Sequence, residues 1–269
     1  MKTFAPKFLL ASLLTLAACT VVPETGRRQI MLVSPTEEAQ MGLQAFADVK
    51  SKEHVSTDPK YNAQVHRIGE RIAASVGREL PNAQWEYVVL DSEEVNAFAL
   101  PGGKVAVYTG LLKLVKSDDE LACVMGHEIA HVTSRHGAER TSQNYIAQGA
   151  GELGALYMNY KNVDPQKQQL LMAGYGIAAN VGALLPYSRL QESEADSIGL
   201  RFAAQAGYDP RAAVTFWQRM SEATAAKKDT GILAKFLSTH PPDAERIANL
   251  QSLVPKYLPV YEAAKQRYQ

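Results

Sequence analysis

The sequence predicts an α+β fold that is mainly helical, with a small, mostly antiparallel sheet beside one buried helix. Apolar residues recur at helical spacing over long segments, and short apolar runs lie between residues 85 and 109. A segment that begins after residue 117 is apolar on nearly all sides, as expected for a helix inside a core. No internal repeat is visible, which argues against a solenoid.

Composition narrows the class of protein. Of the 269 residues, 46% are hydrophobic, which suffices for one domain or two small ones. Lys plus Arg and Asp plus Glu each number 28, so the formal charge is zero. Because nucleic-acid-binding proteins usually carry a basic excess, we expect no nucleic-acid partner.

Residues 1–18 have the pattern of a secretory signal peptide. A basic start precedes an apolar run from Phe8 to Ala18 that is too short to span a membrane. Residues 16–19, with the sequence LAAC, resemble a bacterial lipoprotein cleavage box, and this resemblance implies that Cys19 becomes a lipidated N-terminus. An ordinary signal peptide cut near Ala18 and a buried N-terminal helix are the alternatives.

The residues after the cysteine predict a location and a boundary. Thr20 follows Cys19. In enteric-type lipoproteins, a residue other than Asp at this position resembles a signal for sorting to the outer membrane. We therefore expect a protein that is anchored by lipid in the outer membrane, on its periplasmic side. Residues 19–34 contain Pro and Gly and are predicted to be a tether, and residues 35–269 are predicted to form one domain.

Two helices and three strands are predicted next. One helix begins near Pro35, and residues 85–90 form the first strand. Residues 95–100 and 104–109 flank a Pro-Gly-Gly turn and are predicted to pair as a hairpin. The second helix is indicated by one apolar stripe: Tyr61, Val65, Ile68, Ile72 and Val76.

The apolar helix after residue 117 has clear boundary signals. Ser117 and Glu120 match a capping box, and Gly137 lies where a C-terminal stop is expected. Residues 170–185 form another apolar stretch, which is short for a membrane span and is predicted to be a buried or partly exposed helix. Further helices are predicted at residues 192–206, 210–224 and 242–253.

The segment His127-Glu128-Ile129-Ala130-His131 carries the chemistry. Residues i and i+4 share a helix face, so both imidazoles can reach one metal ion. Glu128 lies about 100° around the helix, where it can approach water on the metal without being a ligand. Zinc lowers the pKa of such a water to about 7, and the carboxylate can take its proton. The motif predicts one zinc ion per chain and Glu128 as the catalytic base.

A catalytic zinc needs a third protein ligand and one open position. Glu192 and Asp196 are four residues apart on a predicted helix and share a face. One of them could bind zinc while the other accepts a hydrogen bond from a liganding histidine. Spacing alone leaves the order open.

Three local patterns resemble the zinc peptidase family that includes HtpX, BepA and the CAAX prenyl protease. They are residues 96–103 (NAFALPGG), the HEIAH motif, and Ser188-Arg189 followed by residues 192–196 (ESEAD). The resemblance covers about residues 35–255 and implies a gluzincin-type fold. It also implies that Glu192 is the zinc ligand and that Asp196 supports it. The chain departs from HtpX in lacking convincing membrane spans and from BepA in lacking a long helical-repeat tail.

Two further residues near the motif have alternative roles. His240 lies in a rigid His-Pro-Pro turn, and a similar His-Pro turn occurs in the family. It could act in catalysis by stabilising the oxyanion of the tetrahedral intermediate, or occupy the open zinc position as a latency plug, or simply pack at a helix entry. Cys123 shares the face of His127 and could in principle be a zinc thiolate, which would close the site and make it structural. We expect it instead to be a buried apolar filler, because free Cys is often buried.

The predicted function is that of a zinc-dependent endopeptidase. A free strand edge beside the motif helix would hold an extended peptide by backbone hydrogen bonds, and we expect residues 96–100 or 104–109 to supply it, with Asn96, Ala97 and Phe98 binding substrate. Binding through backbone hydrogen bonds gives an enzyme little selectivity for substrate side chains. This favours cleavage of unfolded or misassembled envelope proteins in the periplasm. The alternative is a chaperone or assembly factor that contacts the outer-membrane assembly machinery and cleaves rarely. A lipoprotein without zinc would require every ligand match to be accidental.

Overall fold

The computed structural model describes residues 19–179, 185–225 and 230–268. Its strands are β1 (Cys19–Val21), β2 (Arg28–Ile30), β3 (Glu86–Leu90), β4 (Ala97–Leu100) and β5 (Lys104–Tyr108). Its helices are α1 (Pro35–Lys52), α2 (Pro59–Val76), α3 (Thr109–Leu114), α4 (Asp118–Thr133), α5 (His136–Tyr160), α6 (Pro165–Ala179), α7 (Leu185–Gln205), α8 (Arg211–Ala225), α9 (Thr230–Thr239) and α10 (Ala244–Lys265). The predicted fold class, mainly helical with small sheets, is confirmed.

The chain divides into two compact units. The first unit comprises the N-terminal residues through Pro35 together with Arg135–Gln191, and the second comprises Thr36–Ser134 together with Glu192–Gln269. The sequence predicts one domain over residues 35–269, whereas residues 135–191 pack with one another and with the N-terminal residues. The predicted signal peptide lies outside the described residues.

The predicted tether is ordered in the structure. Strands β1 and β2 pair antiparallel, and Val22 and Gln29 are buried. The Arg27 guanidinium donates two hydrogen bonds to the Glu139 carboxylate, at 2.7 and 2.8 Å. Pro and Gly predict a tether, but a segment is held in place when a charge-assisted pair such as Arg27–Glu139 anchors it.

Helices α5 and α6 pack against each other in the first unit. The Tyr175 hydroxyl donates a hydrogen bond to the Ala147 carbonyl at 2.7 Å. The predicted apolar helix is described as part of α6 as far as Ala179, and its residues 180–184 lie outside the described residues. Leu170 and Leu171 are 74% and 56% exposed, so this helix lies at the surface. Within the described part of the chain, no helix is long and apolar enough to cross a membrane.

The three-stranded sheet of the second unit has the order β3-β5-β4. Strands β4 and β5 pair antiparallel, with Phe98 opposite Ala106, which confirms the predicted hairpin. Strand β3 pairs with β5 in parallel, with Val88 opposite Ala106. The sheet is therefore not mostly antiparallel as predicted, because β5 lies between β3 and β4 and pairs with one in each direction. Because β5 is central and paired on both sides, the edge proposed over residues 104–109 is not free. Among the described residues, β4 pairs with β5 alone and so forms an outer edge.

Helix α2 covers the sheet with its predicted stripe. The Asp58 carboxylate caps the helix by accepting hydrogen bonds from the backbone N–H groups of Lys60 and Tyr61. Val65, Ile68, Ile72 and Val76 are buried. The opposite face of the sheet packs on α1 through a cluster formed by Phe46, Val88, Leu90, Ala106 and Tyr108.

Helix α4 begins as the capping box predicts. Ser117 Oγ accepts a hydrogen bond from the Glu120 backbone N–H at 3.2 Å, and Glu120 Oε2 accepts one from Lys116 N–H at 2.8 Å. Residues 120–132 are all buried. The predicted stop at Gly137 is wrong. The chain turns earlier, at Arg135 with a left-handed φ of 56°, and Gly137 lies inside α5.

Candidate metal centre

The HEIAH motif places three side chains on a buried part of α4. His127, Glu128 and His131 are 5%, 5% and 8% exposed. The Nε2 atoms of His127 and His131 lie 3.1 Å apart. This is the consequence of their spacing by one helical turn, which presents both imidazoles on one face.

Glu192 of α7 completes a group of three ligand-type side chains. Its Oε2 lies 3.2 Å from His127 Nε2, and its Oε1 lies 3.2 Å from His131 Nε2. Tetrahedral ligands held about 2.0–2.1 Å from zinc stand about 3.3 Å from one another. The observed separations match that value, so the residues present fit zinc. Burial opposes ionisation of Glu192, but its hydrogen bonds with His127, His131 and His240 outweigh burial and hold its pKa far below the usual range.

Two glycines allow α4 and α7 to approach closely beside these ligands. A Cβ atom on Gly126 would lie 2.7 Å from the Gly199 carbonyl oxygen. A Cβ atom on Gly199 would lie 2.7 Å from the His127 backbone nitrogen. Larger residues would push the two helices apart, because such contacts are too short for real side chains. The glycine pair therefore lets Glu192 reach the two histidines.

Asp196 orients His127. Its Oδ1 lies 2.9 Å from His127 Nδ1, so the ring donates its Nδ1–H there and leaves the Nε2 lone pair for a metal. The Arg246 guanidinium of α10 donates two hydrogen bonds to Asp196, at 2.8 and 2.7 Å. Burial opposes the charge of Asp196, but Arg246 outweighs it and lowers the Asp196 pKa. The same guanidinium lies over the Trp217 ring, 3.6 Å from its centroid.

His240 lies inside the cluster. Its Nδ1 is 2.8 Å from Glu192 Oε2 and 3.2 Å from His127 Nε2. Its Nε2 lies 3.4 Å from Glu128 Oε1. His127, His131, Glu192 and His240 each offer one ligand atom, and these four atoms all lie within 4.8 Å of one another. The His240 ring therefore stands where a fourth ligand would bind.

Glu128 lies beside the four ligand atoms with an unsatisfied oxygen. Among the described residues, its buried Oε1 has no hydrogen-bond partner. Burial raises the pKa of Glu128, while the charges of His240 and His127 partly oppose that rise. A buried carboxylate with a free lone pair can accept a proton from a water molecule placed between it and the cluster.

Strand β4 packs against α4, as the sequence predicts. Ala97 is buried, and Phe98 is partly buried against the core cluster. Asn96 is also buried, and its side-chain amide donates a hydrogen bond to the Glu94 carboxylate at 2.9 Å. Its backbone carbonyl accepts from Tyr108 N–H at 3.0 Å, so the backbone of Asn96 faces β5 and not the free edge.

The two cysteines have different environments. Cys123 is buried, as predicted, with its Sγ 3.8 Å from the Asp209 carbonyl oxygen, and burial raises the pKa of its thiol. It is not among the four residues of the ligand cluster. Cys19 is exposed at the start of the described chain, and its lipidation stays a prediction.

Sequence reasoning missed Arg246 and the glycine pair. A single Arg within the helix predicted at residues 242–253 gives no sign that it will be buried, so Arg246 carried no usable signal. Gly126 did carry one. A glycine inside a helix costs about 1 kcal/mol relative to Ala, so its place directly before His127 indicates a close backbone approach.

Known proteins resemble this chain over most of its length. The mitochondrial metalloendopeptidase OMA1 of Schizosaccharomyces pombe is 36% identical over 238 residues, covering 87% of this chain and 66% of that protein. The human mitochondrial metalloendopeptidase OMA1 is 30% identical over 252 residues, covering 90% and 47%. The beta-barrel assembly-enhancing protease of Escherichia coli K12 is 26% identical over 235 residues, covering 86% and 46%. The chain spans about half to two-thirds of the length of these relatives.

These relatives correct the predicted location. The fission yeast and human proteins are named mitochondrial and are more similar to this chain than the E. coli protease is. The prediction of an outer-membrane, periplasmic location is therefore wrong. It rested on a four-residue box and one following residue, whereas the similarity to the mitochondrial proteins extends over most of the chain.

The family assignment rests on a longer match than any single motif. The model of peptidase family M48 matches residues 59–254, and this range contains the HEIAH motif, Glu192 and His240. Zinc is the metal that family M48 peptidases use, and the cluster of His127, His131, Glu192 and His240 can hold one such ion. The chain therefore belongs to peptidase family M48, the zinc metallopeptidases.

Proposed function

We propose that this chain is an endopeptidase that cleaves extended segments of unfolded or misassembled polypeptides. One observation carries the proposal: among the described strands, β4 pairs on one side only and lies beside the helix that bears the HEIAH motif. A strand edge binds any extended backbone with little regard to side chains. Extended backbone is abundant in unfolded chains and scarce in folded ones.

The register of β4 identifies the backbone groups that face the edge. Asn96 O accepts a hydrogen bond from Tyr108 N–H, so Asn96 and Tyr108 form a hydrogen-bonded pair. Such pairs alternate along an antiparallel ladder. Phe98 and Leu100 therefore bond to β5, while Ala97 and Ala99 turn their N–H and C=O groups outward. We infer that Ala99, which is partly exposed, pairs with the substrate backbone, and that the buried Asn96 and Ala97 and the partly buried Phe98 support the strand.

The roles of the site residues follow from the contacts. We assign His127, His131 and Glu192 as zinc ligands. Zinc, when bound, polarises the substrate carbonyl and lowers the pKa of a water molecule. Glu128 takes the proton of the attacking water at its free oxygen and delivers it to the leaving amine. Asp196 keeps His127 in the tautomer and orientation that binding requires.

His240 favours a second candidate function, in which proteolysis is latent. A ring at the fourth ligand position would exclude both water and substrate from the metal. A protein in that state could bind unfolded clients at β4 without cutting them. The E. coli relative is named a beta-barrel assembly-enhancing protease, and this name combines a role in assembly with proteolysis. The combination supports the second candidate function.

The edge proposal is tested by replacing Ala99 with Pro. Proline removes the outward N–H but leaves the inward hydrogen bonds of Phe98 and Leu100 in place. We expect KM for an unfolded protein such as casein to rise about tenfold, while zinc content stays at one ion per chain. Ala99→Val keeps the N–H and serves as the matched control. Equal KM values for the two variants would contradict a role for this edge.

A further inference from the structure

The buried carboxylate of Glu139 joins the N-terminal hairpin to helix α7. Glu139 lies on α5, and its side chain is 1% exposed. It accepts two hydrogen bonds from Arg27, at 2.7 and 2.8 Å, and one from the Gln29 amide, at 3.2 Å. It also accepts one from the Gln191 amide at 2.7 Å. The Gln29 and Gln191 amides donate to the same oxygen, Oε2, so the hairpin and α7 are both hydrogen-bonded to one atom of Glu139.

The hairpin is held on α5 at two points. Besides the bonds to Glu139, the backbone N–H of Leu32 donates to Ser142 Oγ at 2.8 Å. Ser142 lies three residues after Glu139 and thus on the same helix face. Within the hairpin, Val22 N–H donates to the Arg27 carbonyl at 2.9 Å, which fixes the backbone that carries the guanidinium.

Gln191 connects this contact to the metal centre. It is fully buried and directly precedes Glu192 on the same helix, α7. Its side-chain carbonyl also accepts a hydrogen bond from Arg140 at 3.3 Å, so both ends of the amide are held. Gln191 and Glu192 are consecutive residues of one helix, so their side chains project at a fixed angle to each other. Holding the Gln191 side chain therefore also sets the direction of the Glu192 side chain.

We propose that the N-terminal hairpin is a strap that positions the zinc ligand Glu192 through Glu139 and Gln191. The charge of Arg27 balances Glu139, and the balanced carboxylate holds the Gln191 amide. Loss of Arg27 leaves a buried carboxylate without its counter-charge, so the carboxylate draws water or a proton and releases the amide. The inference rests on the proposed role of Glu192 as a zinc ligand.

The test is Arg27→Ala in the full chain. We expect its zinc dissociation constant, measured by competition with a chromophoric chelator, to rise about tenfold, at the lower end of the effect seen for residues that support metal ligands. With Co²⁺ in place of zinc, we expect the visible absorption band to shift or weaken, since it reports ligand geometry. Arg27→Lys keeps the charge but not the paired hydrogen bonds, and should recover part of the affinity.

Arg28→Ala is the matched control, because Arg28 is the exposed neighbour in the same hairpin. It should bind zinc and Co²⁺ as the wild type does. The unfolding temperature of each metal-free variant separates stability from positioning. If Arg27→Ala unfolds earlier but keeps wild-type zinc affinity and the wild-type Co²⁺ spectrum, the hairpin only stabilises the fold and the proposal is overturned.

Poor folding of Arg27→Ala would not end the test. Gln29→Ala removes one hydrogen bond and no charge, and should weaken zinc binding by about threefold with a small change in unfolding temperature. Glu192→Gln tests the underlying assignment separately. If Glu192→Gln retains wild-type zinc affinity, the proposed ligand set is wrong. If it loses zinc while Arg27→Ala and Gln29→Ala do not, only the strap is wrong.

Discussion

His240 and Asp196 have opposite effects on the metal centre at the scale of single residues. Asp196 binds the far nitrogen of His127 and leaves the metal-facing nitrogen free. His240 instead faces the ligand atoms themselves, with Nδ1 2.8 Å from Glu192. Asp196 thus orients His127 for binding a metal, whereas the His240 ring occupies the space that a substrate would need. We therefore expect the level of proteolytic activity to depend on His240.

Replacing His240 with Ala is expected to raise proteolysis. Removing the ring opens the fourth ligand position and leaves Glu192, His127 and His131 in place. We expect casein cleavage to increase about tenfold with zinc still bound, measured by release of labelled peptide. If His240 instead stabilises the oxyanion, the same variant should lose about 10²–10³-fold in kcat. The direction of change thus decides between plug and catalytic residue.

At the scale of elements, the metal centre depends on how closely α4 and α7 approach. The backbones meet at Gly126 and Gly199, and this contact brings Glu192 within 3.2 Å of the histidines. Neither helix carries all of the ligands, so zinc affinity depends on the distance between α4 and α7. Packed helices respond to added volume by shifting, because protein interiors hold few voids.

Gly199→Ala should therefore weaken both stability and zinc binding. The new methyl group would meet the His127 backbone at 2.7 Å, and relief of that contact should cost about 1–3 kcal/mol in the free energy of unfolding. We expect urea unfolding to shift accordingly and zinc affinity to fall at least about tenfold. Gly149→Ala, where a Cβ meets nothing within 4 Å, should be neutral or stabilising. Equal zinc affinity in both variants would contradict the spacing argument.

Across the whole molecule, sequence and structure agree best where a signal is local. The α2 stripe, the α4 cap and the ligand spacing within the HEIAH motif depend on residues a few positions apart, and all are found. Long-range features carry no such signal. The parallel pairing of β3 with β5 and the Arg246–Asp196 pair join distant residues. The segment predicted as a tether is ordered by Glu139, more than a hundred residues away.

A partly buried ion pair is expected to contribute to the acid sensitivity of the molecule. Glu120 near the start of α4 is paired with Arg219 of α8, at 2.5 and 2.8 Å. Burial opposes its charge, but Arg219 outweighs burial and lowers the Glu120 pKa below its ordinary 4.5. A lowered pKa means that the pair contributes stability above pH 4.5, and that this contribution is lost as pH falls through the folded-state value.

Glu120→Gln should accordingly lose stability at neutral pH but not at low pH. We expect the free energy of unfolding in urea to fall by about 1–3 kcal/mol at pH 7, and the difference from wild type to shrink towards pH 3. Glu152→Gln, at an exposed position on α5, is the control and should change little at either pH. A difference that is independent of pH would show that the ion pair does not govern acid sensitivity.

The most direct test of the central claim is Glu128→Gln, with zinc content and casein cleavage measured on the same samples. Gln keeps the size of the side chain but cannot take a proton, so zinc should remain at one ion per chain while cleavage falls about 10²–10⁴-fold. Glu128→Gln is made both in the wild-type chain and in the His240→Ala chain, and the more active of these two serves as the parent, so that neither a plugged site nor a catalytic His240 hides the effect. Cleavage that persists in the Gln variant with zinc bound, or an absence of zinc from both proteins, would contradict the account.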